Sequence, residues 1–235
     1  MKPSHDTGAR RERGIDRKAF AERLRERASE AGLELSTEQA VLSTEHVNLM
    51  LEWNSRVNLT RITEPEEVIT RHVLDALIPG LSLPRSGWAL DVGTGPGFPG
   101  IPLKILHPDL QMVLLEANHK KVSFLKVVVA HLKLTGVYVL HGRWEDWDSL
   151  DATLTGQEYG LITMRAVRLE TAHLDRLAPR ALGRGGLFAW WAGPEEPSPG
   201  HSHASHAGLA FQGEIPYALD PSLRPRRVLL WRKEA

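Results

Sequence analysis

No cysteine occurs in the chain, so disulfides, thiolate metal sites and cysteine nucleophiles are excluded at once. The absence fits a reducing compartment without proving one. No run approaches the roughly 18 apolar residues that a membrane-spanning helix needs. The first 27 residues also lack an apolar segment and mix nine Lys or Arg with five Asp or Glu, so they do not read as a secretion signal. A cytoplasmic protein without a membrane partner is expected. Charge of one sign is not in excess either, since 29 basic residues balance 29 acidic ones. Any surface for nucleic acid must therefore come from local clustering. No internal repeat is visible.

What is there is ordinary globular composition: 235 residues, 42% hydrophobic and 25% charged. That length suits one large domain, or one domain with an appendage. Segment 1–14 is polar and aperiodic and is expected to be disordered. Segment 15–84 reads as an N-terminal helical extension, and 85–235 as the main domain. In the extension Phe20, Leu24 and Ala28 recur every four residues, which predicts a helix over 15–31. Ser36-Thr37-Glu38-Gln39 is a capping-box pattern opening a second helix that carries Val41, Leu42, Val47, Met50, Leu51 and Trp53. Thr63-Glu64-Pro65-Glu66 opens a third, with a cap, a first-turn proline and acids at the positive dipole end.

After Pro84 short apolar runs alternate with helical stretches. Strands are expected at 88–92, 112–115, 137–140, 161–164 and 187–191, and helices at 120–132 and 170–182. Such alternation implies a parallel sheet covered on both faces. No helix separates 209–215 from 227–231, so these two are expected to pair antiparallel at one edge. Between them and the fifth strand, 193–208 is rich in proline, serine and histidine. It carries His201, His203 and His206, and reads as a solvated loop in preference to a metal site.

The chemistry concentrates where the strand Ala89-Leu90-Asp91-Val92 runs into Gly93-Thr94-Gly95-Pro96-Gly97-Phe98-Pro99-Gly100. Glycines let a backbone turn sharply and approach a ligand with exposed amides. In open α/β sheets this loop lies at the strands' carboxyl ends, where ligands bind. A dinucleotide would need Gly-x-Gly-x-x-Gly coupled to the strand. Counted from Gly93 the third position is Phe98, too large for that packing. Counted from Gly95 the pattern fits but begins two residues late. A cofactor without phosphate, S-adenosylmethionine, suits the loop better. Glu116 follows the next strand, 23 residues beyond Gly93, where a carboxylate can accept from a ribose diol.

Longer stretches now add to this. Trp53-Asn54-Ser55-Arg56-Val57-Asn58-Leu59-Thr60, Arg71-His72-Val73-Leu74-Asp75 and Asp91 through Leu103 resemble the bacterial small-subunit ribosomal RNA guanine-N7 methyltransferases (RsmG, also called GidB, glucose-inhibited division protein B). Leu114-Leu115-Glu116, Lys120 through Leu125 and Met164-Arg165-Ala166 agree as well. The resemblance implies a Rossmann-like class I methyltransferase, with a seven-stranded mostly parallel sheet and an N-terminal helical extension. It implies methylation of one guanine N7 in the decoding region of 16S rRNA, on the small ribosomal subunit, by a monomer. Carried onto matching positions, the S-adenosylmethionine contacts would be Gly93, Thr94, Gly95, Phe98, Trp144, Glu145 and Arg165, with Glu116 at the ribose. Relatives often have aspartate in place of Glu116 and a small aliphatic residue in place of Trp144. Many also carry a lysine where this chain has Ala192, so that lysine's role does not transfer.

Guanine N7 has an in-plane lone pair and no proton to lose, so no catalytic acid or base is named. Phosphate contacts are expected from Lys120, Lys121, Arg143 and Arg226, with Arg224 and Arg227 nearby. Trp190 or Trp191 could stack on a base. His72 and Asp75 share a helical face, and two readings stand: a relay or substrate role, or hydrogen bonds tying the extension to the core. Asn58 has the same choice between capping and a place near the cofactor cleft. Rival functions are methylation of another RNA, a protein or a small molecule by the same fold, hydride transfer with a dinucleotide, and a non-enzymatic RNA-binding assembly factor.

Overall fold

The computed structural model describes residues 15–168, 170, 172–193, 205–206, 208–220 and 224–234. Segment 1–14, His201, His203 and the side chain of His206 lie outside the described residues.

The extension forms as the apolar spacing predicts. Helix α1 (Arg17–Glu30) buries Phe20, Leu24 and Ala28, and Asp16 caps it by accepting from the Ala19 amide at 3.1 Å. Helix α2 (Thr37–Val57) carries the full capping box. Ser36 Oγ accepts from the Gln39 amide at 3.1 Å, and Gln39 Oε1 accepts from the Ser36 amide at 2.9 Å. Ser36→Ala is expected to cost about 1 kcal/mol, a fall of about 3 °C in a thermal melt.

Helix α2 ends at Asn58, which adopts the left-handed conformation (φ 50°) and is exposed. Asn58 is therefore the C-cap of α2. The neighbouring Asn54 carboxamide instead accepts from the Thr60 amide at 2.8 Å. The third helix departs further from expectation. Its first turn, α3 (Pro65–Val68), follows Glu64 without a side-chain cap. It then widens into a π segment (Ile69–Leu74) before resuming as α4 (Asp75–Gly80). Nothing in apolar spacing marks that widening.

The sheet has strands β1 (Gly87–Val92), β2 (Leu110–Glu116), β3 (Val137–His141), β4 (Tyr159–Arg165), β5 (Leu182–Ala192), β6 (Ser205–His206), β7 (Leu209–Tyr217) and β8 (Arg226–Lys233). Their order is β3-β2-β1-β4-β5-β8-β7-β6. The first five run parallel, while β8 lies antiparallel to β5, and β7 to β8. This is the expected seven-stranded sheet with the two-residue β6 added at its edge. β2 and β3 lie on one side of β1 and β4 on the other, so the strand order reverses there and the switch point that draws ligands lies at the carboxyl end of β1.

Two-residue alternation divides the core. Ala89, Met112, Leu114, Leu161, Ala189, Trp191 and Val228 face one side, packed by α1, α2, α4, α5 (Gly100–Leu106) and α6 (His119–His131). Leu90, Val92, Val113, Leu115, Ile162, Met164, Phe188, Trp190, Leu229 and Trp231 face the other. That side is covered by a 3-10 turn (Trp144–Ser149), α7 (Ala152–Thr155), a π turn (His173–Leu177) and α8 (Ala178–Ala181). The extension thus shares a continuous core with the sheet. Trp190 and Trp191 are 5% and 3% exposed. Their indoles donate to the Val167 and Asp75 carbonyls, so neither is a base-stacking surface. Among the described residues no helix is long and apolar enough to cross a membrane.

Candidate functional site

The loop after β1 is organised by one buried carboxylate, Asp91. Its Oδ2 accepts from the Thr94 hydroxyl at 2.6 Å and the Gly100 amide at 2.8 Å, and Oδ1 accepts from the Thr163 hydroxyl at 2.9 Å. Burial pushes the carboxyl up to about 6 against the pull of these donors. Two glycines are required by shape. Gly93 has φ 66°, and a Cβ there would stand 2.8 Å from Val167 Cγ2. Gly97 has φ 94°, and a Cβ there would collide with the Ile101 side chain.

The loop's amides, expected to be exposed, are turned inward. Gly93 and Thr94 donate to the Leu115 carbonyl at 2.9 and 3.2 Å, and Gly97 and Phe98 to the Thr94 carbonyl at 2.9 and 3.0 Å. Gly95 donates to Glu116 Oε2 at 2.9 Å. The Gly100 amide at the start of α5 is held by Asp91. A pyrophosphate would meet a carboxylate where the dinucleotide motif presents a free helix N-terminus, which removes the hydride-transfer reading. The glycines serve close approach, not anion binding.

Beside this loop lies a cleft of about 210 Å³ lined by Val92, Gly93, Leu115, Ala117, Gly142, Arg143, Trp144, Glu145 and Val167. Leu115, Ala117, Val167 and the Trp144 ring make it a slot with apolar walls, and Glu145 supplies an acceptor at its rim. Glu116 ends β2 between two of these lining residues, Leu115 and Ala117, and is 7% exposed. Each of its oxygens accepts one backbone amide, Gly95 on Oε2 and Asn118 on Oε1 at 2.7 Å. A carboxylate oxygen has two lone pairs, so both retain one for a ribose hydroxyl. This donor set fits a nucleoside cofactor.

Thr94, Phe98 and Arg165 are arranged differently. The Thr94 hydroxyl is spent on Asp91. The Phe98 ring is 3% exposed and lies between two histidines, His46 at 4.7 Å and His72 at 4.9 Å between ring centroids. Arg165, at the end of β4, has its guanidinium carbon 5.4 Å from the Phe98 centroid. It reaches the junction of the π segment with α4, where Nη1 donates to Asp75 Oδ2 at 2.7 Å and Nη2 to His72 Nδ1 at 3.0 Å. Because a guanidinium only donates, His72 Nδ1 accepts and its proton sits on Nε2, facing Thr60 Oγ1 at 2.9 Å. His46 is likewise fixed, its Nε2 donating to the Pro96 carbonyl at 2.7 Å. Asp91, His46 and Tyr217 were not singled out in the sequence. The Thr94 hydroxyl three residues past a carboxylate inside an apolar strand was the available signal for Asp91.

Both rings are neutral in the fold. Burial lowers His46 to about 4, and burial, then the charge of Arg165, lowers His72 to about 3. Unfolded, each takes a proton near 6.5. Their stability contribution is full above that pH and is lost as pH falls, down to about 4 for His46 and about 3 for His72. Asp91, raised in the fold, works oppositely and gains stability over the same fall. We expect a net loss of about 2 kcal/mol between pH 7 and pH 5. Melts across that range should show it, and His46→Gln should flatten the slope.

The candidate RNA cations separate into two groups. Lys120 is exposed in the first turn of α6, and Arg143 is exposed at the cleft rim. Lys121 leans over the loop, with Nζ 4.0 Å from where a Gly95 Cβ would stand. Arg226 instead begins β8 with Nε 2.9 Å from Asp75 Oδ1, an ion pair off the hydrogen-bond line. Among the described residues no group of His, Asp and Glu is placed to hold a metal ion.

A family model described as GidB, rRNA small subunit methyltransferase G, matches residues 39–196. The ribosomal RNA small subunit methyltransferase G 1 of Syntrophobacter fumaroxidans is 52% identical over 203 residues, covering 86% of this chain and 92% of that protein. The ribosomal RNA small subunit methyltransferase G of Streptococcus pneumoniae is 33% identical over 211 residues, 88% of each. Among solved structures, a mutant of MtNAS in complex with S-adenosylmethionine aligns with TM-score 0.54 at 16% identity, covering 93% of this chain and 97% of that one. A methyltransferase from Pyrococcus furiosus aligns with TM-score 0.55 at 12% identity, covering 79% and 94%. These structural likenesses show the fold alone.

Proposed function

Because the chain belongs to the rRNA small subunit methyltransferase G family, we propose that it moves a methyl group from S-adenosylmethionine to N7 of a guanine in the decoding region of 16S rRNA. The observation that carries the cofactor half is the pairing of Glu116 with a glycine loop whose helix start is already occupied by Asp91. That site takes a nucleoside and refuses a pyrophosphate.

When bound, S-adenosylmethionine supplies an electrophilic methyl on a sulfonium. Glu116 would hold the ribose hydroxyls, with Trp144 and Glu145 at the adenine and Gly93 giving the close approach. Lys121 leans over the loop at Gly95, and Arg165 stands against Phe98 at its far end. Guanine N7 needs no base, so the protein's contribution is alignment, which in well-organised cases is worth roughly 7–11 kcal/mol. Asp91, His46, His72 and Phe98 supply the rigidity that alignment requires. Lys120 and Arg143 would meet backbone phosphates, and Arg226 the RNA on the β8 side.

Labelled S-adenosylmethionine should mark small subunits that lack the modification, and leave large subunits and transfer RNA unmarked. Equal labelling of transfer RNA would favour the rival reading of a methyltransferase for another RNA. No labelling, with tight RNA binding retained, would favour the assembly factor.

A further inference from the structure

Asp75 is a buried carboxylate with polar partners on both of its oxygens, and the methyl transfer itself gives it no task. It is 1% exposed. Arg165 Nη1 donates to its Oδ2 at 2.7 Å, the Tyr217 hydroxyl donates to its Oδ1 at 2.7 Å, and Arg226 Nε stands 2.9 Å from that same oxygen. Its own carbonyl takes the Trp191 indole at 2.8 Å. Four elements meet on one residue: β4, β5, β7 and β8.

The charges do not cancel. Two guanidiniums face one carboxylate, and His72, the other group on Arg165, is neutral because its Nδ1 is the acceptor. The π segment contributes more acceptors, since Arg165 Nη1 also approaches the Arg71 and His72 carbonyls at 3.3 and 3.5 Å. Such widened turns recur at functional sites because they redirect polar groups out of the helical ladder. Arg226 in turn borders a cleft of about 250 Å³ with Gly193, Glu214, Pro216, Pro225 and Arg227, where Arg227 pairs with Glu214 at 3.4 Å. Arg165 looks toward Phe98 and the cofactor loop; Arg226 looks toward this second cleft.

We propose that Asp75 is a positioning residue for the methyl transfer, holding the cofactor-side Arg165 and the RNA-side Arg226 from one buried carboxylate. This rests on the proposed function for what the two arginines meet. Its physical basis is that a buried carboxylate shared by two cations gives neither a free choice of rotamer. A shift of Arg226 toward an RNA phosphate draws on the same oxygen pair that fixes Arg165. Occupancy of one side is therefore felt at the other, through a single side chain.

The test is a double-mutant cycle on the full chain, read by calorimetry with S-adenosylhomocysteine. Arg226→Ala stands on β8, away from the loop, yet should change that affinity about fivefold. The change should vanish in an Asp75→Asn background. Additive effects, or an Arg226→Ala affinity equal to the parent's, would overturn the proposal. If Asp75→Asn does not fold, Tyr217→Phe replaces it, since it deletes one donor and keeps the ring. It should leave the melt within a few degrees and shrink the Arg226→Ala effect at least twofold; an unchanged effect counts against the role. Steady-state assays on small subunits separate the two failures. Coupling in the affinity without rRNA methylation sinks the proposed substrate and leaves Asp75 its role. Methylation without coupling does the reverse.

Discussion

Asp91→Ala is expected to weaken S-adenosylhomocysteine binding more than about 100-fold while lowering stability by only about 2 kcal/mol. The two effects separate because the side chain does two jobs. Removing a buried charge that burial already pushes up to about 6 returns some desolvation energy. The cost is three donors left without their acceptor, and one of them, the Gly100 amide, starts the helix that closes the loop. Thr94 and Thr163 can turn their hydroxyls elsewhere, but the amide cannot turn. Asp91→Asn distinguishes shape from charge. Its oxygen can replace Oδ2, and its amide group can donate to Thr163 Oγ1 by reversing that bond. We expect it to bind within about fivefold of the parent. A loss as large as alanine's would mean that the charge itself matters to the loop.

Glu116→Ala should cost about 30–100-fold in affinity, from two charge-assisted hydrogen bonds to the ribose and the loss of the Gly95 anchor. The loss should be the same for S-adenosylhomocysteine and 5′-methylthioadenosine, because both carry the ribose and only the first carries the amino acid. Glu116→Gln is expected to recover little. Both oxygens accept from main-chain amides, so a glutamine must set its own N–H against one of them. Calorimetry with the two ligands checks this. Unchanged affinity for methylthioadenosine would place the ribose away from Glu116.

The parts of the fold that repeat were legible in the sequence, and the parts that join distant residues were not. Alternation marked the strands, and the missing helix between 209–215 and 227–231 marked the antiparallel edge. Ser36 and Gln39 announced their cap because both partners lie within four residues. Asp91 reads as a strand end that opens the glycine motif, and of its three donors only Thr163, 72 residues on, leaves no local trace. Asp75 and Tyr217 are 142 residues apart, and no local pattern relates them. The glycines mark the loop, yet its amides turn inward where exposed ones are expected. Glycine spacing says where a backbone can bend, not which carbonyl its N–H will meet. The π segment escaped for a similar reason, because six residues are too short a run for apolar spacing to separate a wider turn from an ordinary one.

In the proposed function the glycine loop and Glu116 serve methyl transfer to a guanine N7. Small subunits lacking the modification, incubated with the protein and labelled S-adenosylmethionine, can be cleaved chemically at 7-methylguanine. One new scission in 16S rRNA, absent with Glu116→Ala, is the result expected. Label in the rRNA that resists this cleavage would contradict it.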